Sequence, residues 1–367
     1  MKTNRVKWMF FALLLLWRFV AVAQETESDL VVHGFLTQAY ASSDGNTIFG
    51  IPDEGTTDYR NAALQFRYSL TKKDQIVMQL GHERFGVSQL NDFQSDVKLD
   101  WAFIQHSFND ATWIKAGRVQ IPIGIYNEIR DVGTILPFYR PSAGVYGDRS
   151  FTSETVDGVV GFHRFFQDRS WSVELSPHYG NWDIINNVNP SDIKIDRVEN
   201  AFGAQIWINT PINGLRFGIH RGRQSVRDGL LIPEAGKIDY SNVWYFSLDA
   251  NFEKFFIRSE YRNQTFPFGR FRAFYVQGGY SITESISIAA QYDKANVRID
   301  QRPFFFADEE RDRDLGISLR YHYLPNLITR FETHWNRGKN PTEPVALLGI
   351  DKPLHTFYFI LSVSASF

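Results

Sequence analysis

The chain has no cysteine among its 367 residues. A disulfide framework, a thiolate-ligated zinc or iron–sulfur centre and a cysteine nucleophile are therefore excluded together. It also lacks an excess of positive charge, since 39 Lys and Arg stand against 41 Asp and Glu. Neutralising a phosphate backbone takes a concentrated basic surface, so nucleic acid is not an expected partner. Beyond residue 24 no long apolar run occurs. The longest stretch free of Asp, Glu, Lys and Arg, from Asn200 to Leu215, still holds Gln205, Asn209, Thr210, Pro211, Asn213 and Gly214, which is too polar to cross a bilayer as a helix. HExxH, GxSxG, Walker A and GxGxxG patterns are missing and the nine histidines are scattered. No catalytic residue, cofactor or metal site is expected on that basis.

Residues 1–23 read as a secretory signal. Lys2, Arg5 and Lys7 give a positive start, Trp8 to Trp17 is uninterrupted apolar sequence, and Ala21-Val22-Ala23 supplies the small residues that signal peptidase accepts. At about 1.5 Å per residue that apolar stretch is too short for a membrane anchor. Losing Lys2, Arg5, Lys7 and Arg18 moves the formal charge from −2 to −6.

What the sequence does have is aromatic residues, 16% of the chain, and alternation. Between Thr356 and Phe367 one parity gives Phe357, Phe359, Leu361, Val363, Ala365 and Phe367, while the other is mostly hydroxyl. Trp244, Phe246, Leu248 and Ala250 oppose Tyr245, Ser247, Asp249 and Asn251 in the same way, and Leu315, Ile317, Leu319 and Tyr321 oppose Gly316, Ser318 and Arg320. A period of two with one oily face marks strands whose two sides meet different solvents.

Sixteen such segments fit, from 30–42 to 354–367, with 97–109, 200–210, 242–252 and 312–324 among them. A tight turn follows each even-numbered segment, for example Lys72-Lys73-Asp74, Glu253-Lys254 and Pro325-Asn326, and a longer loop follows each odd-numbered one, all but one of these expected to be long. The predicted fold is all-β: a transmembrane antiparallel up-and-down barrel of 16 strands over 24–367, with short periplasmic turns and long extracellular loops. In lipid every backbone amide must be satisfied internally, which a closed sheet achieves. The expected location is the bacterial outer membrane, with its lipid as a partner.

A barrel of this size is too wide for side chains to fill. The charges of the inner parity, including Arg67, Lys98, Asp100, Arg216, Arg258, Arg262, Arg320 and Arg330, are read as water-facing pore wall. The connection 121–156 is too apolar for a disordered loop and needs something to pack on. It is expected to fold into the barrel and narrow it, the alternative being a flap over the mouth or a contact with a neighbouring subunit. Its constriction candidates are Glu128, Arg130, Asp131, Tyr139, Arg140, Asp148, Arg149 and Glu154, with Arg118 just before it. Acidic groups on the loop opposite cations on the wall would set a transverse field favouring small polar or charged solutes. Arg118, Arg130 and Arg140 are expected near the narrowest point; the plainer reading is that they pin the loop to wall carboxylates. The run Asp308-Glu309-Glu310-Arg311-Asp312-Arg313-Asp314 reads as an internally paired extracellular loop rather than a calcium site.

The sixteen alternating segments, the terminal Phe367 and the long loop after the fifth strand resemble the Gram-negative porin superfamily over the whole mature chain. Gly117-Arg118-Val119-Gln120-Ile121-Pro122-Ile123-Gly124-Ile125-Tyr126-Asn127-Glu128, with Arg130-Asp131 and Phe138-Tyr139-Arg140-Pro141 beyond it, resembles the entry to the constriction loop of the phosphate-selective type. The mixed charge of the loop departs from the dense cationic ladders of a strict phosphate channel. The resemblance implies a homotrimer, insertion by the barrel-assembly machinery, and passive diffusion through a water-filled channel narrowed by the loop. A surface anchor or receptor with a blocked lumen, or a hydrolase built into the barrel, are the alternatives.

Overall fold

A computed structural model describes residues 29–88, 91, 96–147, 154–167, 169–186, 194–232, 236–300, 309–338 and 353–367. The expected signal segment, Asp148, Arg149 and Asp308 lie outside the described residues. The strands are β1 (Leu30–Ser43), β2 (Thr56–Ser69), β3 (Asp74–Phe85), β4 (Lys98–Asn109), β5 (Thr112–Gln120), β6 (Thr155–Phe165), β7 (Ser172–Asn186) and β8 (Lys194–Asn209). They continue with β9 (Leu215–Ile232), β10 (Gly236–Asn251), β11 (Phe255–Phe266), β12 (Gly269–Ser281), β13 (Ile286–Ile299), β14 (Glu309–Leu324), β15 (Leu327–Gly338) and β16 (Leu354–Ser366).

Each strand pairs antiparallel with its sequence neighbours, and β1 closes on β16 with Leu36 opposite Ala365 and Thr37 opposite Ser364. Closure leaves no edge, the condition a sheet must meet in hydrocarbon. The two faces divide as the alternation predicts. Phe217, Phe246, Leu319, Phe331 and Leu361 project outward and are exposed, whereas Gln205, Gln224, Gln264, Gln277 and Gln291 point inward and are buried. An oily exterior with amides inside is the inverse of a soluble protein. No helix among the described residues is long and apolar enough to cross a membrane.

The expected strand ends need correction on the side of the long connections. β8 begins at Lys194, β10 at Gly236 and β14 at Glu309, all earlier than the alternation suggests. The one short connection expected on this side, between β11 and β12, is Pro267 and Phe268, but β9 ends at Ile232 and β10 starts at Gly236, so a second connection, expected to be long, is short as well. The hairpins keep pairing above the apolar band, where both faces are polar and alternation carries no signal. The acidic run is likewise strand rather than loop. Glu310 gathers Lys294 at 3.0 Å, Arg313 at 3.7 Å and Arg337 across three strands, while Asp312 and Asp314 are buried.

Candidate functional site in the barrel lumen

The described part of the connection between β5 and β6, residues 121–147, lies inside the barrel. It leaves the wall at Ile121 and crosses to the far side, where the Gly124 amide donates to Gln205 Oε1 at 3.1 Å and the Ile125 amide to Glu260 Oε1 at 3.0 Å. It then returns to β2, where Asn61 donates to Asp131 at 3.3 Å, and reaches the β16 end at Thr134, 3.3 Å from Ser366. From there it runs along β14 and β15, with Ser318 Oγ donating to the Pro137 carbonyl at 2.8 Å and the Tyr139 amide to Glu332 at 2.8 Å. A single helical turn, Ala143–Tyr146, capped by Ser142, completes the return. Residues 121–147 are therefore packed against the inner wall rather than laid over the mouth.

Apolar packing and buried hydrogen bonds hold the loop together. Ile121, Ile123, Ile125, Tyr126, Leu136 and Val145 form one cluster with wall residues Tyr245, Tyr275 and Ala273, each large side chain contributing about 1.5–3 kcal/mol on burial. Glu260, 1% exposed, accepts from Ile125, from Ser247 Oγ at 2.6 Å, from Tyr275 at 2.8 Å and from the Tyr146 hydroxyl. Gly124 is required where it stands, because its φ is +62° and a Cβ would strike the Glu260 carboxylate and the Tyr146 hydroxyl.

Several wall residues expected to face water instead grip this loop. Arg262 and Arg330 are fully buried, and Arg262 donates to the Val145 carbonyl at 3.2 Å, Arg330 to that of Gly133. Arg320 donates to the Leu136 carbonyl at 3.1 Å. Arg258 bridges Asp249 at 2.9 Å and the Tyr126 hydroxyl at 2.9 Å. A carbonyl is a cheaper partner than water once the loop has filled the space. Arg67 and Lys98 keep the expected exposure, while Arg216 is half-buried, paired to Asp249 at 2.9 Å and lying over Trp207.

Arg118 is the clearest misplacement. It pairs in register with Asp157, opposite Ala102, and shares the face of the exposed Ile114, so its 2.9 Å ion pair with Asp157 lies on the outside of the barrel. The inward positions of β5 are Trp113, Lys115 and Val119, and Lys115 is a lumen-facing candidate that the sequence pattern did not single out. Its ammonium lies 4.6 Å from the Trp113 ring centroid. The available signal was its parity with the buried Val119. Strand β4 deceives similarly: a bulge opposite Gln79 and Leu80 puts Leu99 outside and Trp101, 4% exposed, inside.

The remaining loop candidates divide into two groups. Arg140 is wedged among aromatic rings, 5.0 Å from Phe49 and 5.2 Å from Phe85, and donates to the Tyr59 hydroxyl; Tyr139 is buried beside it. Arg130 donates to the Tyr146 carbonyl at 3.1 Å and braces the loop on itself. Of the three arginines expected at the narrowest point, these two serve the pinning role, though their partners are loop carbonyls and aromatic groups as much as carboxylates.

The acidic candidates stay near solvent. Glu128 is exposed although barrel wall surrounds it. Enclosure pushes its carboxyl up, opposed by the Lys115 ammonium and the Arg216 guanidinium across the lumen. Asp131 and Glu154 meet Asp100 of β4 rather than a wall cation, and the oxygens of all three lie within 4.8 Å of one another. Burial pushes Glu154 well above the carboxylate range, reinforced by Asp131 and Asp100, and burial also raises Asp131. Such oxygens suit a hard cation, but a shared proton accounts for their closeness. Below them a cavity of about 440 Å³, bordered by His33, Gln65, Gln79, Val132 and Ser366, adjoins the terminal Phe367.

The barrel fold recurs in solved structures. The outer membrane channel DcaP of Acinetobacter baumannii superposes with a TM-score of 0.59 at 12% identity, covering 92% of this chain and 97% of that one. The chain has a porin-type fold. Salmonella typhi OmpF, solved with daunomycin, matches this porin-type barrel at TM-score 0.59 and 10% identity, with 92% and 97% covered. A trimer form of OmpT, an outer membrane protein of Vibrio cholerae, matches at 0.58 and 11% identity, with 92% and 99% covered. No protein-family model and no curated protein matches the sequence. The likeness therefore lies in the barrel rather than in any shared motif.

Proposed function

We propose that this protein is an exported, non-enzymatic outer-membrane porin, assembled as a homotrimer, through which small hydrophilic solutes or ions diffuse passively. The observation that carries the reading is Glu128: a carboxylate enclosed by barrel wall and yet exposed means that water reaches the interior beside the loop. Glu128 on the loop, with Lys115 and Arg216 on the wall, sets the field across that water. Asp131 and Glu154 with Asp100 form a second, acidic stretch of the path, and the exposed Arg67 and Lys98 contribute cations elsewhere on the wall.

The internal loop narrows this path, and its many anchors keep the narrowing fixed rather than gated. A lumen sealed by the loop, as in an anchor or receptor, is the competing reading, supported by the buried cluster around Ile121, Ile123 and Leu136. Liposome swelling separates the two. Vesicles carrying the protein should swell in small sugars or amino acids at rates that fall with solute size, whereas a sealed barrel leaves them at the lipid-only rate.

A further inference from the structure

On the outer wall the apolar band gives way to arginine toward the long-loop end. β9 presents Leu215, Phe217 and Ile219 outward and then Arg221 and Arg223, both exposed. For a strand rising about 3.4 Å per residue and tilted near 45°, Leu215 to Arg223 climbs roughly 19 Å, and an upturned guanidinium reaches the edge of an apolar band of roughly 25 Å. Two other outward cations have acidic partners: Arg118 pairs with Asp157 at 2.9 Å, and Arg197 with Asp183 at 2.8 Å. Arg221 and Arg223 pair with no carboxylate among the described residues. Instead Arg221 lies 4.6 Å from the ring centroid of Trp244, its register partner on β10, and Arg223 5.4 Å from that of Tyr240.

Two uncompensated cations at the rim of hydrocarbon are costly unless a counter-charge resides at that depth. In a bilayer that counter-charge is the headgroup layer. A guanidinium placed over an aromatic face can keep its fork free for two parallel bonds to phosphate oxygens, and Trp244, Phe246 and Phe217 directly below offer apolar surface to acyl chains. We propose that Arg221 and Arg223, backed by Trp244 and Tyr240, bind the phosphate of an anionic phosphorylated lipid in the leaflet on the long-loop side. The proposal rests on the membrane-barrel reading and is independent of whether the lumen conducts.

Native mass spectrometry of the folded full-length barrel in micelles tests it, with bisphosphorylated lipid A as probe and fully dephosphorylated lipid A as control. Heat-modifiable migration confirms folding of each variant. The wild type should retain the phosphorylated lipid at least tenfold more tightly than the control lipid. Arg221→Gln with Arg223→Gln should abolish that preference, whereas Arg118→Gln, altered at an already paired site, should keep it. The milder pair Arg221→Lys and Arg223→Lys, which preserves charge but loses the fork, should fall between. Equal retention of both lipids by the wild type, or an unchanged preference in the double glutamine variant, overturns the proposal. So does a double variant whose only change is loss of subunit association, because the patch would then be a contact between copies. The assay reads lipid occupancy, so a barrel without conductance leaves its outcome intact.

Discussion

The Ile125 amide donates to Glu260 Oε1 at 3.0 Å, joining the internal loop to the wall of β11 across the width of the barrel. The same carboxylate takes Tyr146 from the loop and Tyr275 and Ser247 from the wall. Glu260→Ala leaves several buried donors unpaired, at about 1–3 kcal/mol each where nothing replaces the acceptor. The expected result is a lower temperature for the loss of heat-modifiable migration, with larger and noisier conductance as the loop loosens. Glu260→Gln, which retains an acceptor oxygen, should show a smaller effect.

Gly124 supports a second prediction about the same contact. A Cβ here meets Glu260 and Tyr146 while the backbone sits at φ +62°. Gly124→Val should displace the loop at a cost of about 1–3 kcal/mol and raise conductance without unfolding the barrel. Unaltered conductance would mean that the loop does not set the pore width.

The acidic cluster predicts a pH response. Burial first, then Asp131 and Asp100, raise Glu154 in the folded barrel above its unfolded value, so the native state binds the extra proton in that window. Stability is therefore greatest below the unfolded carboxylate range, near pH 4.3, and declines as pH rises through the elevated folded value. Cation preference should increase over the same interval. Glu154→Gln should flatten both trends, as measured by thermal melts and reversal potentials across a pH series.

Face assignment gives a prediction of no effect. Arg118 and Asp157 are on the outside, so Arg118→Gln should leave ion selectivity unchanged and alter stability by less than about 1 kcal/mol, as is usual for a partly exposed pair. Lys115→Gln, on the inner face three residues closer to the periplasmic end, should shift the reversal potential toward cations by unmasking Glu128.

Strand number, antiparallel closure and face polarity were legible in the sequence, because the solvent on each side of a membrane sheet is written in alternate residues. Phe217, Phe246 and Leu319 are outside as their parity requires. What parity does not record is a third body inside the barrel. Arg262 and Arg330 have inner-face parity, and only the loop turns that position from wet to dry. Arg118 was misplaced because its neighbours Gly117 and Val119 interrupt a short strand just before the loop, whereas Asp100 is on the inner face as expected, although the bulge beside it resets the phase of β4. Above the apolar band the alternation fades, so β8, β10 and β14 run past their expected ends.

A conducting barrel requires that water pass through it beside the internal loop. Single-channel recording in a planar bilayer under a salt gradient tests it most directly, comparing the wild type with a variant in which a short glycine-serine linker replaces residues 127–146. Discrete steps are expected from the wild type, larger steps from the shortened variant, and a change in reversal potential between them. A folded wild-type barrel that produces no steps would contradict it.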